Sequence, residues 1–596
     1  MLMIQYKTLF LIILFIFSTP ALAQEQEPES NVTYTGLAMH GQPNHSADDT
    51  HLDYAHPDAP KGGALKMISI GTFDTVNPYS IKGVSAKGLN LVYDRLMRRA
   101  WNEPFTLYPL IAKYVDVPED RSSITFYLNP KARFHDGNAI TAADVKFSYE
   151  TLKEKGRPNM RRIYRLVETV TIKGNRITFT LQDGQSRETV MILAMMPVLS
   201  KAWWKDRDFD ATLLDAPVSN GPYKISEIDP GHRITYERVP DYWAKDLLIN
   251  QGHYNFDTVV YDYYRDDTIA LEAFKKGDAN LRREWDITKW ESAYADIDKE
   301  KIVREAVPHR RPERVHGFIF NMRKDLFKDI RVRKALSMAF DSDWAGKNIY
   351  YGKLNRIQSF FPNSALDGSG EIETDTLETM AKWKGDLQSD VFLKTLDITD
   401  AKPLRQRLRT ANDLLKQAGW IVENGQRVRE TTKEPFVFEI LLGSAQEEKL
   451  ALAFTKTLEI LGIKANTRTM DPATLQNRRN AYDYDMLMHY WQNSLSPGTE
   501  QMVYWSCEAA NQPARFNFSG LCNKALDHFA HKIAEAKTYE DLTKYAHAID
   551  RILLSEYITI PLFYKNEDYF AYDKSIMRPK AAPLYGAVME TWWMAP

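Results

Sequence analysis

The hydrophobic pattern between residues 436 and 488 alternates between strand-like and helix-like segments. Apolar runs typical of strands cover residues 436–442, 463–470 and 482–488, and helical segments cover residues 447–461 and a short stretch opening at Asp471-Pro472. Leu450, Phe454 and Leu458 share one face of the first helix, which Gly462 ends. This strand–helix–strand–helix–strand order predicts an α/β fold with a mostly parallel sheet and right-handed crossovers.

The same pattern predicts where a ligand would bind. Ligands of open α/β sheets lie beyond the carboxyl ends of the strands, and the last predicted strand leads to Tyr490, Trp491 and Asn493 at that edge. A strand over residues 64–70 leads to a turn-rich segment that contains Phe73 and Asp74. These two segments are the predicted facing walls of a cleft.

Two local signals lie in the first third of the chain. A capping box at Thr141 and Asp144 predicts a helix that extends to Leu152. Residues 172–181 predict a hairpin around Gly174-Asn175.

The N-terminus has the three parts of a secretory signal peptide. Lys7 precedes the apolar residues 9–17, and the small-residue site Ala21-Leu22-Ala23 precedes Gln24. A permanent membrane anchor is the alternative, but a bilayer span needs about 20 apolar residues and this run is shorter. No cysteine follows the cut for lipid attachment. We therefore expect a periplasmic protein with a cleaved signal peptide, no lipid anchor and no stable membrane insertion.

Composition and charge narrow the class of partner. The 596 residues include 77 Lys and Arg against 79 Asp and Glu, a formal charge of −2, which gives no general attraction to nucleic acid. With 44% hydrophobic and 26% charged residues, the chain is typical of a globular protein of several domains. We expect a monomer without a nucleic-acid partner.

Only two cysteines are present, Cys507 and Cys522. In an oxidising compartment two cysteines this close in sequence favour a disulfide. A Cys/His catalytic pair is the alternative.

Searches for catalytic and metal-binding motifs find no zincin, serine hydrolase, P-loop or thiol-redox signature. His40, His45, His51 and His56, like His528 and His531, are expected to be solvated rather than metal ligands. The arginines at 157, 161, 162 and 165 indicate either a solvated face or an anion site, and the solvated face is favoured. We expect no catalysis, no cofactor and no metal, with an exported hydrolase as the rival.

Several ordered segments resemble family 5 solute-binding proteins of ABC importers, the oligopeptide- and dipeptide-binding group. The segments shared with the family are residues 134–148, 220–223, 238–243, 329–336 and 411–420. The segments that look like its YejA-like branch are residues 54–63, 264–269, 273–277, 317–323, 497–501 and 511–513.

The resemblance implies a two-lobed periplasmic binding protein, type II and cluster C-like, with an extra subdomain and a hinged ligand cleft. The implied division is a signal peptide at 1–23, lobe I at 24–79, the extra subdomain at 80–197, lobe I again at 198–308, lobe II at 309–564 and a return to lobe I at 565–596. It also implies a protein that binds oligopeptides or peptide-like compounds and delivers them to an inner-membrane ABC permease. The same fold binding a metal chelate, haem or sugar is the alternative.

One departure from the family concerns the ligand's amine. In its better-known peptide binders an Asp three residues after a Trp pairs with that amine, and the matching position here is Ser494. Glu284, Asp286 and Glu500 are the candidate replacements, and internal salt bridges with Arg282, Arg283 or Arg323 are the alternative. The predicted ligand-binding set is Phe73, Asp74, Glu284, Trp285, Asn321, Arg323, Tyr490, Trp491, Asn493, Ser494, Glu500 and Trp505. For its Phe, Trp and Tyr members, core packing is the alternative.

Overall fold

The computed structural model describes residues 33–46, 48–393, 395–396 and 402–596. The predicted signal peptide lies outside these residues. They form strands β1 Thr33–Tyr34, β2 Leu37–Ala38, β3 Ala64–Ile70, β4 Met97–Arg99, β5 Thr106–Pro109, β6 Ala112–Asp116, β7 Ser123–Leu128, β8 Val167–Lys173, β9 Arg176–Leu181, β10 Tyr223–Asp229, β11 Arg233–Arg238, β12 Thr258–Tyr264, β13 Leu281–Glu284, β14 Ile302–Pro308, β15 Val315–Phe320, β16 Asn355–Arg356, β17 Trp420–Glu423, β18 Gln426–Arg429, β19 Val437–Leu442, β20 Lys464–Thr469, β21 Met486–Trp491, β22 Thr559–Pro561, β23 Phe563–Tyr564, β24 Glu567–Asp573, β25 Ile576–Met577 and β26 Trp593–Met594.

The α-helices of the same part of the chain are α1 Ala142–Lys155, α2 Pro158–Tyr164, α3 Glu188–Ala194, α4 Lys201–Trp204, α5 Asp267–Lys276, α6 Ile287–Ser292, α7 Ile330–Ala339, α8 Ser342–Ile349, α9 Thr374–Ala381, α10 Leu404–Gln417, α11 Ala445–Ile460, α12 Pro472–Asn480, α13 Glu500–Trp505, α14 Cys507–Asn511, α15 Lys524–Glu535 and α16 Tyr539–Ser555. Within the described ranges, no helix has the length and apolar content that a bilayer span requires.

The predicted strand–helix–strand–helix–strand unit is confirmed, and it forms most of a five-stranded sheet. The strand order is β20-β19-β21-β15-β22, and β19 pairs in parallel with both β20 and β21. Strand β15 runs antiparallel to β21 and β22. The third strand starts at Met486 rather than at residue 482, because Tyr482 has a φ of 54°, a left-handed conformation that extended strands do not adopt.

A four-stranded sheet of order β10-β11-β12-β3 lies in the part of the chain that is predicted as lobe I. Its strand β3 has the bounds predicted from sequence and lies parallel to β12. Near the chain's end, β24 inserts between β13 and β14 and pairs antiparallel with both. Strand β24 thus pairs with two strands of the segment predicted as lobe I, and the lobe boundaries stay a prediction.

A second five-stranded sheet, of order β1-β6-β7-β9-β8, carries the predicted hairpin and helix. The hairpin consists of β8 and β9, and Gly174 in its turn has a φ of 61°. Helix α1 begins at the predicted capping box, in which the Thr141 side chain accepts from the Asp144 amide, and extends one turn further than predicted. The hydrophobic core beneath this sheet is continuous with that of the four-stranded sheet. Because one core serves both sheets, the boundaries of the proposed extra subdomain stay a prediction.

Cys507 and Cys522 form the predicted disulfide, across a sequence separation of 15. Replacing both with serine is expected to lower the free energy of unfolding by about 3 kcal/mol, the loop-closure value for a ring of this size. Urea unfolding of the variant and of the wild type, without reductant, measures the difference. Thiol labelling of the unfolded, unreduced wild type should find no free thiol, and two reactive thiols would contradict the bridge.

Candidate functional site

A cavity of about 890 Å³ lies between helices α2 and α3 on one side and helix α13 on the other. We call it the cleft. The residues of its first wall include Arg95, Arg157, Arg162, Tyr164, Glu188 and Met195, and those of its second wall are Thr499, Glu500, Val503, Tyr504 and Phe516. Sites for small ligands usually measure about 300–1,000 Å³, so the cleft has room for a short peptide or a compound of similar size.

The period of helix α13 divides its side chains between the cleft and the protein core. Glu500, Val503 and Tyr504 are three and four residues apart, so they share the face that lines the cleft. Gln501 and Trp505 are buried on the opposite face, where the Trp505 Nε1–H donates to Gln501 Oε1 at 2.8 Å. Packing of that face fixes the position of Glu500.

Two carboxylates face the cleft from opposite walls. The amide of Gly498 donates to both carboxylate oxygens of Glu500, at 3.1 and 3.0 Å, and the Thr499 hydroxyl lies 3.5 Å from Glu188 Oε2. Burial raises the pKa of Glu188 and of Glu500 above the ordinary value, and the charge of Glu188 raises that of Glu500 further. Neither carboxylate has a described cation within 4.0 Å, although the more distant charge of Arg162 partly offsets the rise in the pKa of Glu188.

Arginines also face the cleft, on its first wall. Arg157 donates from Nε to the Pro78 carbonyl oxygen at 2.8 Å and from Nη2 to the Ser85 hydroxyl at 3.3 Å. Arg95 and Arg162 are exposed, and neither forms an ion pair with a described residue. The cleft therefore presents both signs of charge, which suits a ligand that itself carries both.

The loop that precedes α13 joins the two sides of the molecule. The Ser496 hydroxyl lies 3.0 Å from His40 Nδ1, and Thr499 reaches Glu188. Burial, with the charges of Arg121 and Arg187, lowers the pKa of His40 to about 4, so this contact involves a neutral imidazole at neutral pH. Of this loop, Thr499 lines the cleft.

Comparison with known proteins identifies the family. The model of bacterial extracellular solute-binding proteins, family 5, matches residues 106–513. The chain belongs to this family. The solute-binding protein is 37% identical to a putative binding protein of Brucella suis biovar 1 over 99% of this chain and 98% of that protein. It is 36% identical to the peptidoglycan-binding protein YepA of Agrobacterium fabrum, covering 94% and 95% of the two chains, and 34% identical to that organism's probable peptide-binding protein YejA, covering 96% of each.

A solved structure agrees with this assignment at the level of the fold. The oligopeptide-binding protein AppA of Bacillus subtilis, in complex with a nonapeptide, superimposes with a TM-score of 0.61 at 20% identity, over 90% of this chain and all of AppA. The predicted two-lobed α/β fold of family 5 is therefore confirmed.

The structure places three of the predicted aromatic residues in the core of the solute-binding protein. Trp491 is 1% exposed, packs against Phe360 and Trp505, and donates from Nε1 to the Phe516 carbonyl oxygen at 2.9 Å. Trp505 is equally buried. Phe73 is buried beside the ring of Tyr263, 4.9 Å away. These residues therefore pack in the core, which was the alternative to ligand binding for them.

Several predicted polar residues have internal partners. Asn321 donates to the carbonyl oxygens of Tyr482 and Tyr484, at 3.0 and 2.8 Å. Arg323 donates to those of Ala510 and Asn517, at 2.6 and 3.0 Å. Asn321 thus ties the end of β15 to the residues before β21, and Arg323 ties the following residues to the segment that contains the disulfide.

The predicted residues around α13 and β21 also bond within the protein. Asn493 donates to the Phe360 carbonyl oxygen and accepts from Gln501 at 3.2 Å. The Ser494 hydroxyl accepts from the Ser496 amide at 3.2 Å. Asn493 thus connects the loop before α13 to the core.

Glu284 forms the internal salt bridge that was the alternative to amine binding. It is buried, lies 3.0 Å from Arg282 Nη2, and accepts from the Tyr294 hydroxyl at 2.9 Å. Asp286 caps helix α6 through the Thr288 amide. Asp74, on the exposed turn after β3, accepts from the Val84 amide at 2.6 Å.

Two predicted aromatic residues stay accessible outside the cleft. Trp285 is 63% exposed and stacks on the Arg283 guanidinium, and Tyr490 is partly exposed beside Arg314. Glu500 is the one member of the predicted set that lines the cleft in the described part of the chain.

Sequence reasoning missed Glu188, Arg95 and Tyr504, which no motif marks. The arginine-rich patch was a usable signal, since Arg157 and Arg162 do face the cleft, although a solvated face was favoured for them. Among the described residues, no cluster of three or more His, Cys, Asp or Glu has the geometry to hold a metal ion.

Proposed function

We propose that this chain is the periplasmic substrate-binding component of an ABC importer, which takes up oligopeptides or peptide-like compounds in the cleft and delivers them to the inner-membrane permease. The observation that carries this proposal is the pair of half-buried carboxylates, Glu188 and Glu500, on facing walls, neither with a described cation within 4.0 Å. The names of the relatives YejA and YepA, and the nonapeptide bound to AppA, support a peptide or a peptide-bearing ligand.

The carboxylates suit the free amine of a peptide. A buried charge is costly unless an opposite charge and hydrogen bonds accompany it, so an entering ammonium group would stabilise both carboxylates. Glu500 supplies a carboxylate for the ligand's amine, which Ser494 cannot supply. Tyr504 and Phe516, the latter 48% exposed, offer apolar surface to the ligand's side chains.

For delivery, the permease must distinguish the ligand-bound protein from the empty one by a change in its structure. In a two-lobed protein the lobes close around the ligand by a hinge motion, and the closed form is the one a permease would read. The hinge would lie where the chain is proposed to cross between the lobes, near Pro308 and again near residue 565. We propose that it acts as a monomer in the periplasm and performs no catalysis on its ligand.

Native mass spectrometry of the protein purified from its own cells tests the ligand class. We expect peptides or peptide conjugates to remain bound and to be released on unfolding. A metal chelate, haem or sugar released in their place would contradict the peptide proposal while leaving the transport role. Turnover of a peptide library by the purified protein would contradict the absence of catalysis.

Replacing Glu500 with Gln is expected to weaken binding of peptides with a free amine by about 10- to 100-fold, because the charge-assisted hydrogen bond is lost while the side-chain oxygen still accepts from Gly498. Calorimetric titration with a co-purified peptide, free and N-acetylated, measures the effect, and the acetylated form should bind both proteins equally weakly. Glu508→Gln, an exposed position on α14, is the matched control.

The same pair predicts the pH dependence of binding. Because the pKa values of Glu188 and Glu500 are raised, these groups take up protons at a higher pH than ordinary glutamates do. Affinity for the ammonium group should therefore fall as the pH drops from 7 towards the raised pKa values. If Glu500→Gln binds these peptides with unchanged affinity and an unchanged pH profile, the ligand's amine does not bind at Glu500.

A further inference from the structure

Behind the first wall of the cleft lies a second cavity, of about 240 Å³. Arg95 and Met195 line both spaces, so the two cavities adjoin at these side chains. The second cavity is smaller than a typical site for a whole ligand but large enough for one polar group of a ligand that occupies the cleft. We call it the rear cavity.

Three arginines line the rear cavity, Arg95, Arg98 and Arg99, and none has a described carboxylate within 4.0 Å. Arg98 donates to Asn250 Oδ1 at 2.9 Å and lies over the Tyr254 ring. Arg99 donates to the Pro104 carbonyl oxygen at 2.6 Å and to the Tyr585 hydroxyl. The described hydrogen-bond partners of Arg98 and Arg99 are thus neutral groups.

Arg99 illustrates what the lack of an anionic partner means for a guanidinium that is shielded from water. It packs against the rings of Phe105 and Tyr585, and burial lowers its pKa. Its Nε–H has no hydrogen-bond partner. Cations in such surroundings are stabilised by an anion, and arginine binds carboxylates with good geometry.

An unused hydroxyl group lies in the same cavity. Tyr93 is only 5% exposed, lines the rear cavity, and its hydroxyl has no hydrogen-bond partner among the described residues. Buried polar groups are nearly always hydrogen-bonded, so a free donor here points to an acceptor supplied from outside the chain.

Two acidic residues oppose this positive charge. Asp94 accepts from the Tyr242 hydroxyl at 2.8 Å, and burial raises its pKa to about 7, so much of its charge is absent near neutral pH. Glu590 lines the end of the rear cavity that meets a third cavity, together with Asn90 and Tyr254. The end nearest the cleft, where Arg95 lies, keeps its positive charge.

We infer that the rear cavity is a carboxylate-binding subsite: a ligand whose amine lies between Glu188 and Glu500 places a second, acidic group against Arg95 and Arg98. This inference rests on the proposed function and adds that the ligands are peptide-like compounds with a carboxylate remote from the amine. A peptide without a carboxylate remote from its amine would fill the cleft and leave the rear cavity to water.

The test compares wild type with the double variant Arg95→Gln/Arg98→Gln. Each protein is dialysed against an equimolar library of C-terminally amidated pentapeptides whose last residue is Glu or Ala, so that the Glu side chain is their one carboxylate, and the bound peptides are counted by mass spectrometry. We expect wild type to retain Glu-terminated peptides at least 10-fold more than Ala-terminated ones, and the double variant to bind both equally. Equal retention by wild type would overturn the subsite and leave the proposed function intact.

A second arm does not depend on peptide binding. Citrate, at constant ionic strength, should raise the melting temperature of wild type by about 1–2 °C and that of the double variant by less. Arg233→Gln, at an exposed position outside the rear cavity, controls for the loss of charge, and Arg95→Gln alone guards against misfolding of the double variant. If no peptide binds, the proposed function fails and citrate decides: a shift confined to proteins that keep Arg95 and Arg98 supports the subsite, and equal shifts overturn it.

Discussion

Trp491→Ala is expected to lower the free energy of unfolding by about 3–5 kcal/mol, with or without ligand, as the loss of a buried tryptophan typically does. The side chain is 1% exposed and in contact with Phe360, Trp505 and Phe518. The expectation from the sequence is different. If Trp491 lined the ligand site, its loss would leave stability largely unchanged and would weaken peptide binding. Urea unfolding and peptide titration of the same variant separate the two.

Trp285→Ala is the matched control, since it removes the same side chain from a site that is 63% exposed. Its expected cost is about 1 kcal/mol, the contribution of an exposed stack with Arg283. Unchanged stability of Trp491→Ala, together with weaker peptide binding, would return Trp491 to the ligand site.

Asp568→Asn is expected to cost about 3–5 kcal/mol, because it removes one partner from a buried ion-pair network. Asp568 is 1% exposed on β24 and accepts from Arg283 at 2.6 Å and from Arg311 at 2.9 and 2.7 Å. Without its charge, two guanidinium groups would share a poorly solvated space. Asp262→Asn, whose partner Arg233 is exposed, is the control and should cost less than about 1 kcal/mol.

The same carboxylate predicts how stability depends on acid. Burial alone would raise the pKa of Asp568, but the hydrogen bonds and charges of Arg311 and Arg283 hold it below the ordinary value. A group with a lowered pKa stabilises the folded state above its unfolded pKa, about 3.9 for Asp, and this contribution is lost as the pH falls through the folded value. Urea midpoints measured below pH 4 should therefore fall less steeply for Asp568→Asn than for wild type. Parallel profiles would contradict the assignment.

Periodicity predicted strands β19, β20 and β21 and the helices between them because its signals are local. The apolar face of α11, the capping serine before it and Gly462 after it lie within a few turns of one another, and each acts on its own neighbours. The Thr141 capping box and the β8–β9 hairpin were predictable for the same reason. The disulfide followed from compartment and spacing, and the family followed from short segments in a fixed order along the chain.

The ligand site was less predictable, because burial depends on contacts between distant residues. The sequence around Trp491 indicates a strand ending at a ligand edge, yet whether its ring faces a cleft or a core is decided by Phe360 and Phe518, from separate parts of the chain. For Glu284 the sequence leaves amine binding and a salt bridge with Arg282 as alternatives, and the structure decides for the salt bridge.

The amino-acid sequence by itself determined the fold class, the order of the elements, the disulfide and the membership of a solute-binding family. Only the tertiary structure decided that Glu188 and Glu500 face each other, 312 positions apart in sequence, and that Arg95, Arg98 and Arg99 share a cavity in which no described carboxylate lies within 4.0 Å of them. Secondary structure and pairing of close cysteines arise from interactions between near neighbours, whereas a binding site is made by the packing of remote segments, and its charge balance exists only once they meet.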